Sequence, residues 1–270
     1  MSPDRVHAPF GRRSATIFAR EQHGCYVVLR CADPGGPRPQ AGQFYMLSAA
    51  SRWGGGEGER PFLPRAFSVM RAPAGSEELQ FLLEDVGPGT NRLCELQPGD
   101  ALALVGPLGN GFGEAREGRT PLLVGGGVGI APLAIWQDQL ESGISALLGF
   151  RDAAHAHGAV LLANAELATD DGSVGHHGLV TDLLHDHLDA DSGAEVYACG
   201  PPAMLEAVRA LCTERGVPAQ LALESGMACG FGACFGCVVP TRDGYLRLCV
   251  DGPVLDASQL QTAVIAGAGH

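Results

Sequence analysis

Three cysteines within nine residues, Cys229, Cys234 and Cys237, form a C-x4-C-x2-C run with Cys249 downstream, and they constrain this chain more than any other stretch. That spacing is the plant-type pattern for holding a [2Fe-2S] cluster. Thiols this closely bunched reach one inorganic core only if the backbone curls, and Gly230, Gly232 and Gly236 allow it to. The same glycines let amide N–H groups approach the sulfurs and stabilise a negative cluster. Structural zinc is the competing occupant, although it usually takes thiols in short C-x2-4-C pairs. Disulfides or free core thiols complete the alternatives. The chain has nine cysteines, an odd number, and its amino end lacks a secretion-signal pattern, so a reducing, cytoplasmic setting is expected.

With 270 residues and 46% apolar content, the chain can fill two cores and a small appendix. Its longest apolar run, from Pro121 to Trp136, is broken by four glycines and Pro132 and is shorter than the roughly 20 residues a spanning helix needs. No membrane segment is expected. A net charge of -12 disfavours nucleic acid and anionic lipid, which leaves small molecules or another protein as partners.

Short β-type runs fill the first part of the chain: Ala15–Phe18, Cys25–Leu29, Phe44–Leu47, Ala66–Met70, Leu79–Leu83 and Ala101–Val105. Strands without a convincing helix predict a small antiparallel barrel over 1–113, with the glycine-rich stretch 51–60 as a loop. The pattern changes near Thr120. Pro121–Val124, Ala146–Phe150, Val160–Leu162 and Glu195–Cys199 read as strands, and the stretches up to Leu140, Leu179–His187 and Pro201–Arg215 as helices. This alternation predicts an α/β domain with a parallel sheet over 114–222, followed by a cysteine module over 223–270.

Gly125, Gly126, Gly127 and Gly129 sit between a strand and a helix that carries Pro132 in its first turn, where backbone amides can receive a pyrophosphate. A tight structural turn is the plain alternative. Cys199-Gly200-Pro201 follows another strand of the same sheet and should emerge at the same carboxyl edge, on the nicotinamide side. In the barrel, Arg65-Ala66-Phe67-Ser68 offers a guanidinium for a phosphate, an apolar face for a flavin ring and a hydroxyl for its edge. Gly89 and Thr90 supply amides and a hydroxyl for a second phosphate, or simply form a hairpin turn. The histidine pairs 155/157, 176/177 and 185/187 and the acidic run Asp186, Asp189, Asp191 lack matching metal-ligand spacing and read as solvated surface. No general acid or base is assigned.

In order, these motifs run Arg-x-Phe-Ser, Gly-Thr, Gly106-Pro-Leu-Gly-Asn-Gly-Phe112, Gly-Gly-Gly-x-Gly-x-Ala-Pro and Cys-Gly-Pro-x-x-Met, and together they resemble the ferredoxin reductase superfamily with its FAD and NAD domains. Three further stretches narrow the match: Thr169–Ser173 with Gly178–Asp182, the cysteine loop with its Met227-Ala prefix, and Cys249-Val-Asp-Gly-Pro253. With these, the chain is similar to the electron-transfer subunits of class 1B, NAD-dependent dihydroorotate dehydrogenases, over about residues 12–262. The resemblance implies FAD contacts at Arg65, Ala66, Phe67, Ser68, Leu82, Leu83, Glu84, Gly89 and Thr90, with Cys229, Cys234, Cys237 and Cys249 as cluster ligands. It implies a separate FMN-bearing catalytic subunit, two copies of each chain, and a route through cluster and FAD to NAD in pyrimidine biosynthesis. The family usually has Pro where this chain has Ala66, which loosens the turn but keeps the functional groups. Related ferredoxin:NADP or sulfide-linked reductase subunits, which often replace one cysteine by aspartate, are the nearest alternative. Stand-alone oxygenase reductases and a zinc-stabilised nucleotide-binding protein without redox activity stand further off.

Overall fold

The computed structural model describes residues 11–54, 61–140, 143–190 and 193–265, so part of the 51–60 loop and Asp191 lie outside the described residues. Six strands close into a barrel: β1 (Arg13–His23), β2 (Tyr26–Ala32), β3 (Phe44–Ala49), β4 (Arg65–Arg71), β5 (Glu78–Glu84) and β6 (Ala101–Leu108), in the order β1-β2-β5-β4-β3-β6. All pairings are antiparallel, and the inward side chains of Ile17, Leu29, Leu47, Phe81 and Leu104 are fully buried. The barrel carries one helix that the β-type pattern does not reveal, α1 (Pro88–Cys94). Its seven residues are too few to show a helical period, and its start is marked only by Pro88 in the first turn and by Thr90.

The second unit is built on β7 (Thr120–Gly126), α2 (Ile130–Gln137), β8 (Ala146–Phe150), α3 (Ala153–Ala156), β9 (Ala165–Thr169), β10 (His176–His177), α4 (Val180–Ala190), β11 (Ala194–Cys199), α5 (Pro202–Arg215) and β12 (Ala219–Ala222). The sheet runs β10-β9-β8-β7-β11-β12, all parallel. The strand expected at Val160–Leu162 is instead the end of a 3-10 turn, His157–Leu161. Asn164, at φ 50°, then swings the chain into β9. A three-residue apolar run carries no period, and Leu161 and Leu162 are buried by that turn rather than by a ladder.

The carboxyl-terminal segment has a hairpin, β13 (Val238–Thr241) with β14 (Gly244–Arg247), a single turn α6 (Leu248–Asp251), and β15 (Val254–Asp256). β15 pairs antiparallel with β12 and extends the α/β sheet to seven strands, so the cysteine segment is stitched into that sheet. It also grips the barrel, where Asn110 donates its side-chain amide to the Asp251 carbonyl (2.9 Å). Barrel and α/β unit share one core in which Phe112, Trp136 and Tyr197 pack ring against ring. No helix among the described residues is long and apolar enough to cross a membrane.

Candidate redox site

The four cysteines lie as two pairs, Cys229 with Cys234 and Cys237 with Cys249, near enough for Cys229 to act on the charge of Cys249. Cys237 Sγ lies 3.1 Å from Cys249 Sγ, and Cys249 N–H points at Cys237 Sγ (3.4 Å). The Gly236 amide faces Cys234 Sγ (3.5 Å). Burial raises the Cys229 thiol, but the amides of Cys234, Phe231 and Ala233, with the Cys234 thiol, outweigh it and bring the group down to about 6. A loop that turns several N–H groups on one sulfur stabilises thiolate, the form that binds metal. Cys249 is pushed the other way, to about 12, by burial and by its neighbour Cys237. Convergent thiols, amides aimed at sulfur and two glycines at φ 79° and 88° (Gly230, Gly232) fit an iron–sulfur cluster.

The site is lopsided. Cys237 and Cys249 are buried in the core that holds Phe44, Met46 and Leu108, whereas Cys234 is exposed among Phe231, Phe235 and Tyr245. Met46 fills the space where a Cβ on Gly230 would lie (2.5 Å to its Cγ), and it pairs with Ala66 across β3 and β4. The buried side of the cysteine site therefore backs onto the strand that carries Arg65–Ser68.

On that strand Arg65 donates to the Leu63 carbonyl (2.6 Å) and meets no carboxylate among the described residues. Its guanidinium lies on Gly89, where a Cβ would stand 2.6 Å from Nε. A cation with no carboxylate partner among the described residues, beside the first turn of α1, suits a phosphate. Phe67 and Ser68 are half-buried and Ala66 is exposed. Leu82 and Leu83 are buried in the core and offer only backbone. The Thr90 hydroxyl is occupied, accepting from Val86 and Gly87 amides (2.9 and 3.0 Å) and donating to the Gly87 carbonyl. The Glu84 carboxylate is likewise committed, accepting from Arg151 (2.7 Å), with His155 Nε2 3.2 Å away.

The dinucleotide loop sits at the switch point of the sheet, with Gly125 paired to Cys199 across β7 and β11 and α2 packed on β4. Three of its glycines make room for protein. A Cβ on Gly125 would press on Leu133, Ile130 and Leu148, one on Gly126 would meet Met204 Sδ at 2.6 Å, and one on Gly129 would meet the Cys199 carbonyl at 2.5 Å. Gly127 differs: it has φ 54° and no neighbour nearer than the Tyr26 hydroxyl at 3.9 Å, which leaves its face open to a ligand. Pro132 is buried in the first turn of α2, Gly200 is buried and Pro201 is exposed. Burial drives the Cys199 thiol well above its ordinary value. Glu224, which nothing in the sequence singles out, stands near it; solvent reaches it, yet enough protein surrounds it that burial raises its carboxyl to about 7.

The histidines divide. His176, His185 and His187 pair with surface carboxylates, and Asp189 pairs with Arg215. His155 does not belong to the solvated surface expected for it: its side chain is only 13% exposed, because α3 lays it against the barrel.

Residues 224–261 match the family model for the iron-sulfur cluster binding domain of dihydroorotate dehydrogenase B. The electron transfer subunit of dihydroorotate dehydrogenase B (NAD(+)) from Clostridium acetobutylicum is 36% identical over 222 residues, 81% of this chain and 85% of that protein. Its counterpart from Caldanaerobacter subterraneus subsp. tengcongensis is 37% identical, covering 83% and 88%. Among solved structures, a chain of an NADH-dependent reduced ferredoxin-NADP oxidoreductase superposes with a TM-score of 0.77 at 25% identity, over 94% of this chain and 92% of that one. The ferredoxin reductase of carbazole 1,9a-dioxygenase shares the fold (TM-score 0.65, 21% identity, 77% and 66% covered). The chain belongs to the family of electron-transfer subunits of NAD-dependent dihydroorotate dehydrogenase B, flavin and iron–sulfur oxidoreductase subunits that work with a catalytic partner.

Proposed function

We propose that this chain takes electrons from the FMN of a dihydroorotate-oxidising subunit at its cysteine site and delivers them to NAD in the cleft between its barrel and its α/β unit. The observation that carries this reading is the lopsided cysteine site. Its exposed edge, Cys234 among Phe231, Phe235 and Tyr245, suits a protein partner, and its buried pair backs through Met46 onto the flavin strand. When bound, the cluster supplies one-electron transfer, FAD converts single electrons to pairs, and NAD accepts a hydride.

The residues then have distinct tasks. Cys229, Cys234, Cys237 and Cys249 hold the cluster, and the loop amides supply donors to its sulfurs. Arg65 neutralises a flavin phosphate beside the amides of Gly89 and Thr90, while Ala66, Phe67 and Ser68 line the ring and Leu82, Leu83 and Glu84 contribute backbone. Gly127 admits the dinucleotide phosphates, and Gly125, Gly126, Gly129 and Pro132 shape the turn. Cys199, Gly200 and Pro201 bound the nicotinamide side. The division 1–113, 114–222 and 223–270 follows these tasks, with β15 returning to the middle unit's sheet. Two copies around a catalytic dimer and a cytoplasmic setting complete the proposal. Anaerobic co-expression with the catalytic subunit tests it: dihydroorotate-dependent NADH formation is expected, and bound flavin and cluster without that activity would refute the assignment.

A further inference from the structure

Apart from the four cysteines, one cluster of metal-ligating groups among the described residues is assembled from both large units, and it uses the side chain of Glu84, whose backbone the proposed function gives to the flavin. Cys25 lies at the turn between β1 and β2, Glu84 ends β5 opposite Tyr26, and His155 comes from α3. Their thiol, carboxylate and imidazole ligand atoms all lie within 4.8 Å of one another. The arrangement is fixed by backbone contact, since a Cβ on Gly24 would stand 2.0 Å from the Ala154 carbonyl.

The imidazole is oriented as a ligand. His155 Nδ1 lies 2.6 Å from Asp152 Oδ1, so Nδ1–H donates to that carboxylate and the Nε2 lone pair faces Glu84 and Cys25. A carboxylate behind a ligating histidine is the usual support for a metal ligand. The Tyr26 side chain is fully buried and packs edge-on against His155 at 5.8 Å; its hydroxyl, with no well-formed hydrogen bond among the described residues, lies near the Cys25 thiol and on the side of Gly127. A water on a metal would satisfy it. A cation already occupies this point: the Arg151 guanidinium, on a side chain 62% exposed, donates to Glu84 and to His155 Nε2 (both 2.7 Å).

We propose that Cys25, Glu84 and His155 form a zinc site, with water as the fourth ligand, in which the metal displaces Arg151 and ties the barrel to the α/β unit. Thiolate, imidazole and carboxylate together suit zinc, and three protein ligands leave one position open. Binding releases the Cys25 proton to solvent, so affinity rises with pH.

The test uses the holoprotein with flavin and cluster bound, titrated anaerobically with zinc alone while iron content is followed. Wild type is expected to take up one zinc ion per chain, with iron unchanged, that Cys25→Ser and His155→Ala do not take up. Asp152→Asn should weaken uptake by about 10–100-fold, as expected for a group supporting a ligand. Arg151→Ala should tighten it by about tenfold, the gain from removing a competing cation. Uptake by the Cys25 and His155 variants equal to wild type would overturn the site. Weaker binding by Arg151→Ala would overturn it too, because Arg151 would then be part of the structure and not a stand-in for the metal.

Discussion

Both candidate ligand loops of this chain are glycine-rich, yet they use glycine differently. In the dinucleotide loop, Gly125, Gly126 and Gly129 are small because protein atoms occupy the space: the loop is pressed against Cys199, Met204 and Leu133, and only Gly127 stands open. In the cysteine loop, Gly230 and Gly232 adopt φ 79° and 88°, a turn that aims successive amides at sulfur. One loop packs three glycines against protein and leaves a single open, left-handed position, whereas the other needs glycine twice over, for a left-handed turn that aims amides at sulfur and for close approach to Met46 and Val250. Glycine count alone therefore says little about where a ligand touches.

The largest effect should follow from removing a sulfur. Cys249→Ser takes away a buried thiol of the proposed ligand set, and partner-dependent NAD reduction should fall by about 100-fold or more while flavin content is retained; an unchanged absorption spectrum and potential would remove Cys249 from that set. The dinucleotide loop comes next. Gly129→Ala should cost about 2–3 kcal/mol because backbone has to move, whereas Gly127→Ala should cost about 1 kcal/mol and instead raise KM for NADH. Equal thermal shifts for the two variants would erase the distinction between packing glycine and open glycine.

The anchoring of the cysteine segment offers a smaller test. Arg209, with the Ala263 amide and Thr262, holds the Glu206 carboxyl at about 2 and so ties the stretch around Thr262 and Ala263 to α5. A depressed carboxylate stabilises the fold above its unfolded value near 4.5, and that stabilisation is lost as pH falls toward about 2. Glu206→Gln should therefore cost about 1–2 kcal/mol at neutral pH, with the difference narrowing below about pH 4.5 in denaturation curves. The smallest effect concerns Glu224. Its carboxyl, raised to about 7, becomes an anion beside the nicotinamide-side loop as pH rises, so affinity for the anionic dinucleotide should drop about two- to fivefold across neutrality. Glu224→Gln should flatten that pH profile; a wild-type profile in the variant would free Glu224 from any part in binding.

Most of the architecture was legible because it rests on period and punctuation. Short β-type runs between turns marked the six barrel strands, and Gly216, at φ 65°, closed α5 where the sequence placed its end. Short elements were not legible: α1, β9 and β15 are seven, five and three residues long, too short for a period to emerge. β15 is also held by a partner, β12, that lies far from it in the chain. Within the site, spacing pointed to Cys229, Cys234 and Cys237 and the family resemblance added Cys249, but neither could say that Cys237 and Cys249 face inward and Cys234 outward, because that depends on how the hairpin docks on Met46 and Leu108. Thr90 stands out in the sequence through the Gly-Thr pair and Glu84 only through the resemblance, while the partners that engage them, the Val86 and Gly87 amides and Arg151, appear only in space. The grouping of Cys25 with His155 crosses two units and leaves no local signal at all.

Anaerobic titration of the isolated holoprotein with NADH tests the central claim, that the cleft and the cysteine site are joined within this chain. Bleaching of the flavin band should be followed by the electron paramagnetic resonance signal of a reduced [2Fe-2S] cluster, and in Cys249→Ser the bleaching should persist while that signal is lost or altered. Flavin bleaching in wild type that never produces a cluster signal, under a potential low enough for dithionite to produce one, would contradict it.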